Sequence, residues 1–173
     1  MATRRVVTGI NSSGKSYFVH DGPNPGHVDL GRAVDDEIWV DDPATPDPRA
    51  TIDPATAPVF HLEPPPGGSV MRIFTFVPGN LEPEKVAAAD AAAASRFDRG
   101  EAMEKDEPAM HTTRTIDYLV VLSGEIDLEL DEGEVHLRPG DVVVQRRTRH
   151  AWRNRGSQPC TIAGVLISSP NYR

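Results

Sequence analysis

The sequence predicts an all-β fold, and three features of the chain point to it. Ile126, Leu128 and Leu130 alternate with acidic residues, a period of two that places one side of a strand in a core and the other in water. Short apolar runs recur along the second half of the chain, with turn signals such as Pro139-Gly140 between them. The 173 residues include 16 prolines and 14 glycines, which supply such turns. Strands of this length and spacing indicate a β-sandwich or a β-barrel.

Strands are also predicted in the first half of the chain. Val6-Val7-Thr8 and Tyr17-Phe18-Val19 flank a turn-rich segment at 11–14, which predicts a hairpin. A short strand is expected at 37–40 and a strong one at 69–77. Later strands are predicted at 118–122, 126–131, 135–137, 142–144 and 161–167, and the strand at 142–144 is expected to be buried.

Two segments depart from this strand pattern. Residues 41–58 are rich in Pro, Asp, Ala and Thr and have no hydrophobic period, so we expect an extended connection. Residues 83–98 are dominated by alanine, which predicts a helix. We interpret the helix as a spacer, with a lid over the mouth of the barrel as the alternative. Residues 1–68 are expected to form an N-terminal β arm and Pro-rich connection, packed on a barrel of residues 69–173 as one structural domain overall.

Composition excludes several classes of function. A formal charge of −8 argues against a nucleic-acid partner, which usually needs a basic face. No apolar run approaches the roughly 20 residues that span a membrane, and no apolar segment follows the arginines near the N-terminus as in a signal peptide. Cys160 is the only cysteine, so no intrachain disulfide can form. These features together favour a cytoplasmic location.

Two stretches of the second half resemble the two conserved motifs of the cupin superfamily. The first motif has a His, a second His two residues on, a Glu about four further, and then a Gly. In MHTTRTIDYLVVLSGEIDLEL, His111 stands at the first His and Gly124 at the Gly. The stretch RPGDVVVQRRTRHAWRN resembles the second motif, with Pro139-Gly140-Asp141 at its start, His150 as its histidine and Asn154 four residues later.

This chain departs from the motifs at four positions. Thr113 stands where the second His is expected, and Asp117 where Glu is expected. Gln145 and Arg147 replace the usual Pro and Gly before the last His. One of the usual ligands is therefore absent and another is shorter by a methylene. Over residues 69–168 the resemblance implies a double-stranded β-helix, or jelly-roll, barrel, and it implies a homodimer in which exposed apolar residues of the arm are buried at the contact.

The resemblance places His111, Asp117 and His150 together at the ends of neighbouring strands. Two imidazoles and one carboxylate form a three-ligand site that suits Fe(II) or Zn²⁺ with an open position for catalysis. Thr113 would hold a metal-bound water. In a site without metal, His111 or His150 would be the general base and Asp117 the group that orients it. A barrel that has lost its metal and only binds a ligand is the further alternative.

The sequence also suggests residues that bind the substrate. Arginines surround His150, which indicates a site for an acidic substrate unless they form a solvated turn. Of the arginines near the two histidines, Arg114 and Arg146 are the ones expected to face inward. Trp152 shares the strand face of His150 and is expected to close the pocket floor. Phe74 and Phe76 lie on one face of the strong strand, as core residues or as a substrate platform.

The function that the sequence predicts is a metal-dependent enzyme acting on a small, anionic organic molecule. The reaction classes considered are lyase chemistry (decarboxylation or dehydration), isomerisation and oxygenation. The rival hypotheses are a metal-free acid–base isomerase or cyclase, and a non-catalytic small-molecule-binding protein.

Overall fold

The computed structural model describes residues 2–45, 59–79 and 109–169, together with residues 84, 87, 88, 91, 97, 98 and 102. Thirteen strands form within these residues. They are β1 Arg4–Ile10, β2 Ser16–Pro23, β3 His27–Asp29, β4 Ala33–Asp41, β5 Phe60–His61, β6 Ser69–Phe76, β7 Phe97–Asp98, β8 Thr115–Ser123, β9 Ile126–Leu130, β10 Glu134–Leu137, β11 Val142–Arg146, β12 His150–Arg153 and β13 Cys160–Ser168. The predicted all-β class is confirmed.

Two antiparallel sheets pack against each other to make the barrel. The main sheet has six strands in the order β11-β8-β13-β6-β4-β3, and the second has the order β10-β9-β12. Alternate residues of β8 and β13 are buried, as the period of two requires. The core between the sheets consists of Leu119, Val121, Ile126, Leu128, Leu137, Cys160 and Ile162.

The boundary between the N-terminal arm and the barrel lies earlier in the chain than predicted. Strands β3 and β4 belong to the main sheet, since β4 pairs with β6 along most of its length. The barrel therefore includes residues 27–41, which were assigned to an arm packed on its surface. The predicted hairpin is present as β1 and β2, which form a two-stranded sheet of their own.

The predicted burial of residues 142–144 is wrong. Val142 and Val144 are 68% and 52% exposed, and Val143 alone of the three packs against the core. The reason is that the outer face of the main sheet is uncovered, so that alternate valines of β11 point into solvent, as Tyr118 does on β8. A run of β-branched residues reports strand propensity but does not distinguish a strand covered on both faces from one with an uncovered face.

The predicted helix and connection lie largely outside the described residues. Within the predicted helix 83–98, residues 84, 87, 88 and 91 are helical. Phe97–Asp98 instead forms β7, which pairs in parallel with β5, so the prediction is wrong at the end of the helix. In the predicted connection 41–58, Asp41 still belongs to β4, and residues 46–58 are outside the described part. None of the helical residues described belongs to a helix with the length and apolar character needed to cross a membrane.

Gly124, between β8 and β9, has no room for a side chain. Its φ is +72°, and a Cβ there would lie 2.3 Å from the carbonyl oxygen of Pro159. We expect Gly124→Ala to lower the free energy of unfolding by more than about 2 kcal/mol, because a left-handed alanine costs about 1–2 kcal/mol before the clash is counted. Gly140→Ala is the control, since its φ is +93° and no atom lies within 4 Å of its added Cβ. Equal losses in urea unfolding of the two variants would contradict this explanation.

Candidate active site

A backbone bridge joins the two histidines that stand at the motif positions. The amide of His111 donates to the carbonyl of His150 and the amide of His150 donates to the carbonyl of His111, each at 3.0 Å. Residues paired in this way project their side chains to the same face. The ring centroids of His111 and His150 are accordingly 4.1 Å apart, with 50° between the ring planes.

Each imidazole is held in one tautomer by a backbone carbonyl. The Nδ1 of His111 lies 3.0 Å from the carbonyl oxygen of Ala109, and the Nδ1 of His150 lies 2.9 Å from that of Thr148. A carbonyl oxygen can only accept, so each Nδ1 carries the proton and each Nε2 presents a lone pair. No residue in the described part of the chain forms a hydrogen bond with either Nε2.

Burial keeps both imidazoles neutral. Loss of solvent lowers the pKa of His111. Burial, together with repulsion from His111, lowers the pKa of His150 to about 4. Both rings are therefore uncharged at neutral pH, and the Nε2 of each is available as a base or as a ligand.

Asp117 lies on the inner face of β8, buried between β11 and β13. Its neighbours across the strands are Gln145 and Leu166. Its Oδ1 is buried without a hydrogen-bond partner. Burial raises the pKa of Asp117 to about 6, although the Thr115 hydroxyl offsets part of that rise.

Thr113, at the position of the missing second histidine, also points inward. Its side chain is buried, and its Oγ1 accepts a hydrogen bond of 2.7 Å from the Oγ1 of Thr115. Thr113 therefore belongs to a small hydroxyl network beside Asp117.

The residues present fit a metal ion in part. Two neutral imidazoles with unoccupied Nε2 lone pairs, and with Nδ1 fixed by a carbonyl, are the donor arrangement that metal sites use. No group of three His, Cys, Asp or Glu side chains within the described residues is arranged to hold a metal ion, however. The expected set of His111, Asp117 and His150 is thus reduced to a histidine pair, with Asp117 standing apart from it.

Aromatic rings continue from the histidine pair along the inside of the barrel. Ring centroids are 6.1 Å apart between His150 and Trp152, between Trp152 and Phe76, and between Phe76 and Phe74. Phe76 and Trp152 pack against the core cluster while remaining partly accessible. We call Phe74, Phe76 and Trp152 the aromatic wall. It gives the histidine pair a flat, apolar neighbour.

Arg114 and Arg146, expected to face inward, are both exposed, because they alternate along the chain with the inward-facing Thr113, Thr115 and Gln145. Arg114 nevertheless lines a cavity at the surface of the barrel, whereas Arg146 does not. Arg114 lies against Glu63, with Nη2 to Oε2 at 2.7 Å. The arginine that does face inward is Arg72 on β6, which the sequence analysis missed. Its position two residues before Phe74 was the available signal, since alternation puts both on one face.

Arg72 is the centre of a buried charged cluster. Its Nη1 donates to Oδ2 of Asp35 and its Nη2 to Oε2 of Glu37, each at 3.0 Å, and Nη2 also contacts the carbonyl of His61. All three charged side chains are at most 4% exposed. Two buried carboxylates share one guanidinium, and burial accordingly raises the pKa of Asp35 to about 6 and that of Glu37 to about 7.

A cavity of about 980 Å³ opens beside this cluster. Glu37 and Arg72 form one part of its wall, and Thr112 and Thr115 form another. Arg114 and Glu63 also line the cavity, and so does Thr112, which follows His111 in the chain. The histidine pair and the aromatic wall are not part of its lining.

Comparisons with known proteins agree on the family. The model of the Cupin domain family matches residues 98–167. The chain is 37% identical over 158 residues to "Phomopsin biosynthesis cluster protein C'" of Diaporthe leptostromiformis, covering 87% of this chain and 70% of that protein. It is 30% identical over 173 residues to a "Cupin-domain-containing oxidoreductase" of Aspergillus ruber. That match covers 94% of this chain and 71% of the relative. A solved double-stranded β-helix protein of Klebsiella pneumoniae is 20% identical over 60% of this chain and 70% of that chain, with a TM-score of 0.40.

The raised pKa of Glu37 predicts a pH-dependent gain in stability from Glu37→Gln. Native Glu37, with a pKa of about 7, holds its proton more tightly than the unfolded chain does, so wild-type stability falls as pH rises from about 4.5 to 7. The variant lacks this loss. We therefore expect the free energy of unfolding of the variant, relative to that of wild type, to be about 2–3 kcal/mol higher at pH 8 than at pH 4.5. Urea unfolding at the two pH values measures this difference.

Glu129→Gln is the matched control for this effect. Glu129 is paired with Arg153 on the surface, which lowers the pKa of its carboxyl. Replacing Glu129 by Gln should therefore not raise the free energy of unfolding, relative to wild type, as the pH rises. A Glu37→Gln variant whose stability difference from wild type is the same at both pH values would contradict the assignment of a proton to this carboxyl.

Proposed function

We propose, from the premise that this chain belongs to the cupin superfamily, that it is an oxidoreductase acting on a small organic molecule at the mouth of its barrel. The observation that carries the proposal is the His111–His150 pair, whose rings are neutral and 4.1 Å apart and whose Nε2 atoms have no partner among the described residues. The class of reaction is taken from the names of relatives in Aspergillus ruber and Neurospora crassa, which are called cupin-domain-containing oxidoreductases.

The histidine pair would hold a divalent metal through its two Nε2 atoms, with Fe(II) preferred over Zn²⁺ because iron has redox chemistry. Iron held by this pair would supply the redox chemistry that an oxidoreductase requires. Each Nδ1–H···O=C hydrogen bond holds its ring in the orientation and tautomer that ligation needs. The low pKa values favour ligation, since no proton has to be displaced from either Nε2 at neutral pH.

The aromatic wall would bind the apolar part of the substrate. Trp152 lies edge-on to His150, with 86° between the ring planes, and Phe76 and Phe74 continue the surface. A substrate that lies against these rings displaces water from the neighbourhood of the histidines. Removing that water strengthens each electrostatic interaction made at the site.

Both arginines that line the cavity already have acidic partners, and the partner of Arg114 is Glu63. Arg72 is the inward-facing arginine in the described part of the barrel, and its two terminal nitrogens are occupied by Asp35, Glu37 and the carbonyl of His61. The carboxyl of Glu37 borders the cavity together with Arg72. We therefore propose a substrate that is neutral overall, with an apolar part that lies against the aromatic wall.

A metal-free acid–base isomerase or cyclase is the second candidate, and it is favoured by the lack of a third ligand in the described residues. In that enzyme the Nε2 of His111 or His150 would accept a proton from a C–H or O–H bond of the substrate. Burial raises the pKa of Asp117 to about 6, which would let that carboxyl exchange a proton near neutral pH. The two candidates differ in whether the histidine pair binds metal.

Metal content of the purified, untagged protein separates these candidates. We expect about one equivalent of iron or zinc per chain after reconstitution, measured by elemental analysis. His111→Ala and His150→Ala should each lose most of it, because each removes one of two ligands. His136→Ala is the matched control, since His136 is exposed and already paired with Asp127 and Glu125. Asp117→Asn should retain the metal, because Asp117 stands apart from the pair.

Two results would contradict the metal-dependent proposal. The first is wild-type protein that binds no metal after reconstitution, which would leave the acid–base enzyme and a ligand-binding barrel without turnover. The second is full metal content in both histidine variants, which would place the metal elsewhere in the chain.

A further inference from the structure

The carbonyl group that fixes the ring of His150 belongs to Thr148, in the turn between β11 and β12. Its oxygen accepts from the Nδ1 of His150 at 2.9 Å. The same oxygen accepts from the Nε2 of Gln145 at 3.1 Å. A carbonyl oxygen has two lone pairs, so it can accept both hydrogen bonds. One acceptor therefore connects a side chain of β11 to the ring of His150.

The side chain of Gln145 is buried and contacts Thr148 at two atoms. Gln145 is 2% exposed and lies on the inner face of β11, opposite Asp117 of β8. Besides the carbonyl oxygen, its Nε2 donates to the Oγ1 of Thr148. Because a carbonyl oxygen can only accept, the nitrogen end of the amide faces Thr148 and its two hydrogens supply both bonds. Two hydrogen bonds from one nitrogen hold Thr148 in one orientation.

The backbone of this turn needs such support. Arg147, directly before Thr148, has a φ of +55°, and Ala109, whose carbonyl fixes His111, has a φ of +74°. Within the described residues, these are the non-glycine residues with positive φ. Left-handed backbone is uncommon outside glycine and persists where surrounding contacts hold it in place. Both strained positions thus lie at the carbonyls that orient the histidine pair.

We propose that Gln145 is a positioning residue for His150. It holds the Thr148 carbonyl where that oxygen accepts from Nδ1, so that the Nε2 of His150 carries the lone pair. This inference deepens the proposed function, on which the use of that lone pair rests. The cupin motif has a proline at this position, and proline has no side-chain amide to donate, so the contact comes from this chain's departure from the motif.

The substitution Gln145→Met tests this role, because methionine has a similar length and no hydrogen to donate. Two-dimensional ¹H–¹⁵N NMR of the imidazole nitrogens is recorded on the full-length, metal-free chain at pH 7. We expect the ratio of Nδ1–H to Nε2–H in His150 to fall at least about fivefold, because the carbonyl loses its fixed orientation. The ratio in His111 should not change, since the carbonyl of Ala109 fixes that ring. General loosening of the barrel would affect both rings.

Arg146→Met is the matched control. It places the same residue on the same strand, but the side chain of Arg146 lies on the exposed face of β11. Both histidines should keep the wild-type tautomer in this variant. An unchanged tautomer of His150 in folded Gln145→Met, or an equal change in both rings, overturns the proposal.

A measurement on wild type tests the contact even if Gln145→Met fails to fold. The Nε2 hydrogens of Gln145 should exchange with solvent at least about tenfold more slowly than the side-chain amide hydrogens of Gln158, which is exposed. Equal exchange rates would show that the Gln145 amide is not bonded to Thr148, and they would overturn the proposal without any variant.

Titration with Zn²⁺ separates this inference from the proposed function. If the histidine pair binds metal, Gln145→Met should bind Zn²⁺ about 10–100-fold more weakly than wild type, as substitutions of residues that orient a ligand do. Wild type that binds no metal contradicts the metal-dependent function, while the tautomer of His150 still decides the role of Gln145. Metal binding by wild type together with unchanged tautomers in the variant overturns the role of Gln145 alone.

Discussion

The reciprocal backbone pairing of His111 and His150 is the interaction on which the site depends. The two residues belong to different motifs, His150 on β12 and His111 in the segment before β8, and the two hydrogen bonds of 3.0 Å bring them side by side. Every later property of the site follows from that position. The rings are 4.1 Å apart, burial keeps them neutral, and local carbonyls leave both Nε2 lone pairs facing away from their own backbone. The same pairing sets the aromatic wall, because Trp152 follows His150 by two residues on β12.

A second constraint is the excess of buried carboxylate over guanidinium. Asp35 and Glu37 share Arg72, and Asp117 has an oxygen without a partner. A buried ion pair of this type costs desolvation energy that a hydrophobic replacement would not, so stability alone does not explain the cluster. The cluster borders the cavity through Glu37 and Arg72, whereas the aromatic wall lies beside the histidine pair.

Local patterns predicted the fold well and the site less completely. Alternation identified β9 and β10, an apolar run identified β8, and the turn residues identified the β1–β2 hairpin, because these features depend on neighbours in sequence. Proximity of His111 and His150 depends on sheet pairing, which no spacing rule supplies, and it was inferred from resemblance. Charge alone did not show the side on which Arg114 and Arg146 fall, because strand alternation decides it and leaves both exposed. The exposed faces of Val142 and Val144 were missed because propensity does not show whether both faces of a strand are covered.

The tautomers of His111 and His150 are the most direct measurement of the central claim. Two-dimensional ¹H–¹⁵N NMR of the imidazole nitrogens at pH 7 distinguishes Nδ1–H from Nε2–H in each ring. The structure predicts that both rings are neutral, with the proton on Nδ1 and an unprotonated Nε2 whose resonance shifts when one equivalent of Zn²⁺ is added. Rings that carry the proton on Nε2, or that are charged at pH 7, would contradict the account, because neither could present the pair of lone pairs on which the proposed site rests.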